Sequence, residues 1–435
     1  MKNIKIVIIG AGSSYMPELL EGIINNKVFQ TYEIALVDVE AGMKNANIIL
    51  ELTKRMLGKV QNNAHVYLTT NRKEALVNAD FVVTQIRVGG LDARIKDEKI
   101  PLRYGLIGQE TTGAGGFANA LRTVPVIVDI AREMEEICPK AYLINFANPS
   151  GIVTQAVNMY SNIQCVGLCN LPINIEREFS KYFNKRPDEI YVKMAGLNHL
   201  SFVTDVLVNG VSRFDELFYD GYFTKGLGHQ TIDVTGSAEL INSLRLMPTS
   251  YLQYFWFEQE KLEHIKKDIE LGNGTRGELV KLVEKELFEI YSDEKVDEKP
   301  KLLEKRGGAL YSTAALNLIS ALLNPEPSMQ IVNTVNRGAV PNLPYDAVVE
   351  TNAHISIHGV NAISADPIPS TVAPLVNLIK EFEMLTIKAA MTGNRELAYL
   401  ALLNHPLVHG HTNALNLLKD ILEEHKEFLA NFYRG

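Results

Sequence analysis

Short apolar runs alternate with amphipathic stretches along the first 170 residues of the chain. The runs are rich in β-branched residues and predict six strands, at Ile4–Ile9, Glu33–Asp38, His65–Thr69, Asp80–Ile86, Ala141–Phe146 and Gln164–Leu168. Stretches long enough for crossover helices lie between them, for example at Ala41–Leu57 and Val124–Ile137. Strands that alternate with helices are typical of a doubly wound parallel sheet, so the pattern predicts an α/β domain over residues 1–170.

Beyond residue 170 the alternation becomes irregular and more helical. Helical periodicity is clear at Glu278–Tyr291 and Val372–Met391, whereas the charged stretch Ser292–Lys305 predicts a solvated loop and a helix start. A chain of 435 residues exceeds the size at which one hydrophobic core usually stops growing. We therefore predict a second, α+β domain over residues 171–435.

The composition limits the classes of partner. Lys and Arg number 43 against 51 Asp and Glu, and the net charge of -8 argues against a nucleic acid or an anionic membrane as partner. Three cysteines in so long a chain do not form a disulfide framework and suit a reducing compartment. Because no apolar run approaches the roughly 18 residues that a spanning helix needs, we expect a cytoplasmic protein.

A glycine-rich segment directly follows the first predicted strand and opens a helix. Backbone N–H groups at such a position hold a dinucleotide pyrophosphate, although the third glycine of the usual fingerprint is missing. Asp38 ends the second strand, where a carboxylate can bond a ribose hydroxyl. This is the pattern of a Rossmann sheet that binds NAD, with an ordinary tight turn as the alternative. The predicted cofactor-binding residues are Gly10, Gly12, Ser13, Ser14, Asp38 and Arg87.

Polar residues follow three further strands, and ligands of open α/β sheets bind beyond the carboxyl ends of strands. Arg87 follows the fourth strand, Asn148 the fifth, and Cys169 with Asn170 the sixth. Each has an ordinary explanation, as a surface ion pair, an Asn-Pro turn or a buried thiol. Together they place a guanidinium, an amide and a thiol around one crevice.

Several longer motifs carry a resemblance to known families. Ala79–Val83, Gly89-Gly90 and Asn148-Pro149 resemble the lactate and malate dehydrogenase superfamily, but Gly196–Leu200 replaces the context of its substrate histidine. The full set resembles glycoside hydrolase family 4, which has the same fold. The motifs that carry this resemblance are Arg94–Gly116, Asn148–Gly151, Val166–Pro172, Gly196–Phe202 and Ala339–Glu350.

The family resemblance implies a metal site and a substrate class. Cys169 and His199 would bind a divalent metal, usually manganese, although a thiolate and an imidazole intrinsically suit zinc better. Without the resemblance, His199 reads as a satisfied core histidine. Asn170, which we include among the catalytic residues, makes the Cys-Asn-Leu-Pro segment similar to the version found with 6-phospho-β-glucosides.

Further site residues are implied by the same resemblance. Tyr251 would act as the base, with Tyr254 as a rival and an aromatic core as the alternative. The sequence identifies no acid for the leaving group, and Glu110 is a candidate that could instead be structural. The implied substrate-binding residues are Arg94, Asn148 and Arg276, whose guanidinium groups suit a sugar phosphate.

The family's route begins when NAD removes hydride from C3 of the sugar. The ketone acidifies the C2 hydrogen, which Tyr251 would remove before the aglycone leaves by elimination; water then adds and the hydride returns. The substrate would be a phosphorylated disaccharide or aryl glucoside, and we expect a homodimer or homotetramer. The alternatives are an NAD-dependent dehydrogenase of a hydroxy acid or sugar, and a non-catalytic NAD or sugar-phosphate sensor.

Overall fold

A mixed sheet runs through the protein, and its first half is parallel. The computed structural model describes residues 3–306 and 310–433. Within them, six parallel strands lie in the order β3-β2-β1-β4-β5-β6, the order of a Rossmann sheet. They confirm all six predicted strands: β1 is Asn3–Ile9, β2 Gln30–Val37, β3 His65–Thr69, β4 Phe81–Thr84, β5 Tyr142–Asn145 and β6 Cys165–Gly167.

The second half of the sheet is antiparallel and continues from the edge of β6. Its strands are β7 Ile190–Leu197, β8 Leu200–Val208, β9 Val211–Ser212, β10 Met247–Pro248, β11 Ser328–Val335, β12 Val348–Ser356 and β13 Gly359–Ala362. From β6 the order continues as β11-β12-β7-β8-β10, with β13 beside β12 and β9 beside β8. Since the sheet crosses residue 170 without a break, the two-domain division stays a prediction.

Helices cover both faces of the sheet. In the first part of the chain they are α1 Met16–Asn25, α2 Met43–Lys59, α3 Arg72–Leu76, α4 Gly90–Leu102, α5 Gly113–Ile137, α6 Ser150–Tyr160 and α7 Leu171–Tyr182. The later helices are α8 Phe214–Tyr219, α9 Ser237–Leu244, α10 Gln253–Trp256, α11 Glu258–Glu270, α12 Arg276–Tyr291, α13 Leu303–Arg306, α14 Tyr311–Leu322, α15 Ala373–Thr392, α16 Arg395–Asn404 and α17 His411–Glu424.

The central parallel strands β1, β4, β5 and β6 are buried on both faces because their side chains alternate between two helical layers. In β1, Ile6 and Ile8 pack with α1, α2 and α14, whereas Val7 and Ile9 pack with α3, α5 and α6. Burial on both faces explains why these strands read as continuous apolar runs. The doubly wound prediction is therefore confirmed.

Two predictions from periodicity need correction. The helix predicted from Val124 begins at Gly113, because the glycines of its first turn pack against backbone: a Cβ at Gly115 would lie 2.2 Å from the Gln109 carbonyl oxygen. Tertiary packing thus overrides the low helix propensity of glycine. The stretch Ser292–Lys305 is also less solvated than predicted, since Lys299 forms ion pairs with Glu18 and Glu21 on α1.

None of the helices within residues 3–306 and 310–433 combines the length and the apolar character that crossing a membrane requires.

Candidate active site

The glycine loop after β1 has the geometry of a dinucleotide cradle. Gly10 has a φ of +96°, and a Cβ there would lie 2.9 Å from the Gln85 carbonyl carbon and oxygen. The Gly12 N–H donates to Oδ2 of Asp38 at 2.5 Å, and a Cβ on Gly12 would lie 3.0 Å from the same oxygen. Only glycine fits both positions, so the backbone can approach a ligand closely.

The remaining predicted cofactor residues surround this loop. Asp38 follows β2 and accepts from the Val39 N–H at 2.8 Å as well as from Gly12. Ser13 Oγ accepts from the Tyr15 N–H at 3.3 Å. Ser14 is buried, and its hydroxyl donates to Glu284 at 2.7 Å. Ser14 is thus tied to the protein itself, and its contact with the cofactor stays a prediction.

Cys169 and His199 reach one point from different strands. Cys169 follows β6, and His199 lies in the tight turn between β7 and β8 with a φ of +64°, a conformation that non-glycine residues rarely adopt. The Sγ atom of Cys169 lies 3.8 Å from Nε2 of His199. Two ligand atoms that each lie about 2.0–2.3 Å from one tetrahedral ion have a separation close to this distance between Sγ and Nε2. The pair therefore fits a shared metal ion.

Thr111 determines which nitrogen of His199 faces Cys169. Its Oγ1 lies 2.9 Å from Nδ1 of His199 and also donates to Oε1 of Gln109 at 2.9 Å. Because the hydroxyl proton is used toward Gln109, Thr111 accepts the Nδ1 proton of the imidazole. The lone pair of Nε2 then points toward Cys169. Burial lowers the pKa of His199 to about 4, so the ring is neutral and able to bind a metal.

The surroundings of the thiol also suit a cation. Burial raises the pKa of Cys169 to about 12, and the neighbouring Glu350 adds to that shift. Glu350 is buried on β12 and accepts from Asn198 at 3.0 Å and Ser201 at 2.7 Å. A divalent ion would supply the missing positive charge and release the thiol proton. No third Cys, His, Asp or Glu of residues 3–306 and 310–433 completes a cluster, so water or substrate must fill further coordination positions.

Tyr251 lies directly against the predicted metal ligand. Its ring stacks on that of His199 with centroids 3.6 Å apart and planes 5° from parallel. The ring of Tyr254 lies 6.2 Å from that of Tyr251. Burial raises the pKa of Tyr251 well above its usual value, with Cys169 adding to the shift, and burial raises that of Tyr254 to about 12. Both phenols are therefore neutral in the protein alone.

Glu110 lies between two of the predicted arginines. Its Oε2 is 2.8 Å from Nη1 of Arg87 and 2.9 Å from Nε of Arg94, which also pairs with Glu98 at 2.8 Å. Burial acts to raise the pKa of Glu110, but Arg87 and Arg94 outweigh it, so the pKa is lowered. An ionised carboxylate accepts a proton rather than donates one. The acid role of Glu110 stays a prediction, and its contacts favour a role in orienting the arginines.

The other predicted site residues are placed as follows. Asn148 follows β5 and is half-buried, joined to Pro149 by a cis peptide bond. Asn170 is half-buried beside Cys169 at the N-terminus of α7. Arg276 is exposed, and its Nη2 donates to the backbone carbonyls of Lys305 and Arg306 at 3.3 Å each. The structure thus brings Asn170 to the metal pair and leaves Arg276 at the surface.

Comparison with known families matches nearly the whole chain. The description Family 4 glycosyl hydrolase covers residues 5–185, and Family 4 glycosyl hydrolase C-terminal domain covers residues 194–408. The chain belongs to glycosyl hydrolase family 4. The resemblance inferred from the motifs is therefore confirmed.

Individual members of family 4 align over their full length. A probable 6-phospho-β-glucosidase of Bacillus subtilis is 44% identical, covering 99% of this chain and 98% of the relative. The 6-phospho-β-glucosidase of Thermotoga maritima, solved with NAD and glucose 6-phosphate, has a TM-score of 0.89 at 35% identity over 98% of this chain and 99% of its own. A second structure of that enzyme also contains manganese.

Malate dehydrogenase of Cryptosporidium parvum has the same fold, with a TM-score of 0.55 at 15% identity over 90% of this chain and 99% of its own.

Sequence reasoning missed four residues that contact or influence the residues of the candidate site. Thr111 and Glu350 belong to motifs that were recognised, but their contacts with His199 and Asn198 depend on the folded sheet. Arg306 directly follows the charged stretch that was interpreted as solvated. The ring of Tyr311 packs edge-on against that of Phe146, with the centroids 5.1 Å apart. Burial raises the pKa of Tyr311, and Cys169 and Tyr251 add to that shift. No periodicity in the sequence indicated these side chains.

Proposed function

We propose that this protein hydrolyses 6-phospho-β-glucosides, such as cellobiose 6′-phosphate, to glucose 6-phosphate and an aglycone, using NAD and a divalent metal, most simply Mn²⁺. The observation that carries the proposal is the stack of Tyr251 on His199, beside Cys169, in a fold whose first strand ends in a glycine loop. A plain dehydrogenase needs no thiol and phenol at this point. The full-length similarity to the Bacillus subtilis relative supports the same activity.

The chain has residues that fit both groups. Gly10, Gly12 and Asp38 would form the cradle for NAD, and Cys169 with the neutral Nε2 of His199 would hold the ion. The chemistry that these groups supply when bound is reversible hydride transfer at C3 of the sugar and Lewis-acid polarisation of sugar oxygens.

Tyr251 is the base that removes the proton from C2. Burial keeps its phenol neutral in the protein alone, whereas the guanidinium of Arg94 opposes that effect. The positive charge of a metal ion bound by Cys169 and His199 would favour the phenolate, because the ring of Tyr251 is stacked on that of His199. Loss of the C2 proton lets the aglycone leave from C1 by elimination, and water then adds to the unsaturated ketone. Tyr251 returns a proton to C2.

The sugar is oriented by polar groups around the same point. Asn170 lies beside the metal pair and is the residue whose identity matches the β-glucoside class. Arg94, buried and held by Glu98 and Glu110, presents a guanidinium of fixed orientation, and Asn148 offers an amide after β5. These contacts with substrate are part of the proposal.

The exchange of hydrogen at C2 tests the mechanism. Elimination breaks the C2–H bond in each turnover, so product formed in D₂O should carry deuterium at C2, whereas direct displacement at C1 leaves that bond intact. Tyr251→Phe should remove most activity while NAD still binds, and Tyr254→Phe is the matched control. Product without C2 deuterium would contradict elimination if the phenol proton exchanges with solvent. Retained exchange in Tyr251→Phe would move the base to another residue.

Two substrate comparisons test the reaction class. Cellobiose 6′-phosphate should be hydrolysed much faster than cellobiose, and equal rates would refute the phosphate requirement. NADH should not accumulate during turnover, because the hydride returns to the sugar. Net accumulation of NADH would instead indicate a dehydrogenase, and binding without turnover would indicate a sensor.

A further inference from the structure

Cys169 and His199, the proposed metal ligands, are carried by strands that do not touch each other. Cys169 follows β6, His199 lies in the turn between β7 and β8, and β11 and β12 lie between β6 and β7. The distance between Sγ and Nε2 therefore depends on how these strands are aligned. Because a slip of one residue in a strand moves its side chains to the opposite face, the alignment decides whether the two ligands meet.

One row of register partners crosses all of these strands. Asn333 on β11 lies opposite Gly167 on β6 and Glu350 on β12. Glu350 in turn lies opposite Gly196 on β7, which lies opposite Ser201 on β8. The row begins two residues before the thiol ligand and ends on the two sides of the turn that carries the imidazole ligand. It therefore connects the two halves of the proposed metal site.

The polar members of this row are joined through the carboxylate of Glu350. Its Oε2 accepts from the hydroxyl of Ser201 at 2.7 Å, and its Oε1 accepts from Nδ2 of Asn333 at 3.4 Å. All three side chains are buried. Oε1 also accepts from Nδ2 of Asn198, the residue directly before His199, at 3.0 Å. One carboxylate thus holds both sides of the turn between β7 and β8 and ties them to β11.

Two glycines in the same row let the polar side chains come together. A Cβ at Gly196, where φ is +149°, would lie 2.5 Å from the Cα of Ser201. A Cβ at Gly167 would lie 3.0 Å from the Cβ of Asn333. Because any larger residue would push these neighbours away, the close approach of the strands at this row depends on glycine.

The turn itself holds His199 in a conformation that needs support. Its φ of +64° is uncommon for a residue with a side chain, and such conformations persist where the surrounding structure fixes them. Packing gives part of this support, since a Cβ at Gly151 of α6 would lie 3.2 Å from the Cβ of Asn198. The bonds of Glu350 to Asn198 and Ser201 restrain the turn on both sides of the imidazole.

We propose that Glu350 is the residue that positions His199 against Cys169, so that the pair is in place before a metal ion arrives. The inference rests on the proposed function in so far as the pair binds a metal ion. Glu350 acts through its hydrogen bonds to Asn198 and Ser201, which support the ligand from behind. A ligand held in this way binds its ion without a further cost of ordering.

Four variants separate the hydrogen bonds of Glu350 from its charge. Ser201→Ala removes one bond and leaves the carboxylate. Glu350→Gln removes the charge but can keep both bonds, because its carbonyl oxygen accepts from Asn198 and its amide donates to Ser201. Glu350→Leu removes both. Thr351→Val is the matched control, since the buried hydroxyl of Thr351 on the same strand donates to the Met194 carbonyl of β7 at 3.1 Å, outside the turn.

Hydrogen exchange of the metal-free protein measures the hold on the turn directly. Exchange of the backbone amides of residues 196–201, followed by mass spectrometry, should become about tenfold faster in Glu350→Leu and faster by a smaller factor in Ser201→Ala. Glu350→Gln and Thr351→Val should stay within about twofold of the natural protein. Unchanged exchange in Glu350→Leu, shown to be folded by thermal unfolding, would overturn the proposal. If that variant does not fold, unchanged exchange in Ser201→Ala overturns it.

Calorimetric titration with Mn²⁺ shows whether the hold matters for metal binding. Glu350→Leu should raise the Mn²⁺ dissociation constant about 10- to 100-fold, the usual effect of losing a partner of a metal ligand. Ser201→Ala should raise it by a smaller factor, and Thr351→Val should not change it. Loss of affinity in Glu350→Gln without any loss in Ser201→Ala would overturn the positioning role, because the charge alone would then explain the effect.

Cys169→Ser distinguishes failure of this inference from failure of the proposed function. If Mn²⁺ binds equally well to Cys169→Ser and to the natural protein, the metal site of the proposed function is refuted. The hold of Glu350 on the turn is still judged by hydrogen exchange, which needs neither metal nor activity.

Discussion

Thr111→Val removes the hydroxyl that orients the imidazole of His199, the proposed metal ligand, while keeping the shape of the side chain. In the structure Thr111 Oγ1 lies 2.9 Å from Nδ1 of His199, and both residues are buried. Without the hydroxyl, the Nδ1 proton either stays unpaired or moves to Nε2, the nitrogen that must bind the ion. An unpaired buried donor costs about 1–3 kcal/mol. Changing such a partner of a metal ligand lowers metal affinity about 10- to 100-fold, or about 1.4–2.7 kcal/mol.

Protein from which metal has been removed with a chelator is titrated with Mn²⁺ in reducing buffer, and the binding is measured by calorimetry. Thr111→Val should raise the Mn²⁺ dissociation constant about tenfold or more without changing NAD affinity. Thr111→Ser keeps the hydroxyl and should bind Mn²⁺ almost as the natural protein does, and Thr112→Val makes the same chemical change one residue later as a control. Mn²⁺ affinity of Thr111→Val within about twofold of the natural protein would refute the assignment of the imidazole tautomer, since about tenfold is the least that the lost contact should cost.

Three further predictions concern the metal, pH and a buried ion pair. Removal of metal with a chelator should abolish activity, and added Mn²⁺ should restore it. Full activity of the Cys169→Ser variant after treatment with the chelator would contradict the metal site. Burial lowers the pKa of His405 to about 3 in the folded state. As pH falls below about 6.5, the unfolded chain therefore binds a proton at His405 that the folded protein does not bind. The contribution of His405 to the free energy of unfolding should fall by about 1.4 kcal/mol per pH unit between pH 6 and 4, so the total slope measured for His405→Gln should be shallower by about that amount. Asp97→Ala should cost about 3–5 kcal/mol in urea unfolding because Arg122, paired with it at 2.6 Å and fully buried, loses its partner. A loss below about 1 kcal/mol would contradict that reasoning, and Asp97→Leu with Arg122→Met should recover most of the stability.

The parallel half of the sheet could be predicted because its signals are local. Its central strands β1, β4, β5 and β6 are buried on both faces, so the apolar run itself marks the strand. The glycine loop could likewise be recognised from its spacing directly after β1, although the backbone groups that exclude a side chain at Gly10 and Gly12 belong to Gln85 and Gly42. Family membership followed from motifs of several consecutive residues. These features need no knowledge of which distant segments meet.

Only the tertiary structure decided how the side chains of the candidate site meet. Cys169 and His199 come together because β11 and β12 lie between β6 and β7, and β11 and β12 come from much later in the chain. Thr111 orients His199 across that same junction. Arg306 illustrates the limit best: the two residues before it, Glu304 and Lys305, are charged and exposed, yet its guanidinium packs against Ser14. Periodicity reports whether a residue is buried, whereas hydrogen bonds, stacking and pKa shifts depend on distances that long-range sheet register alone determines.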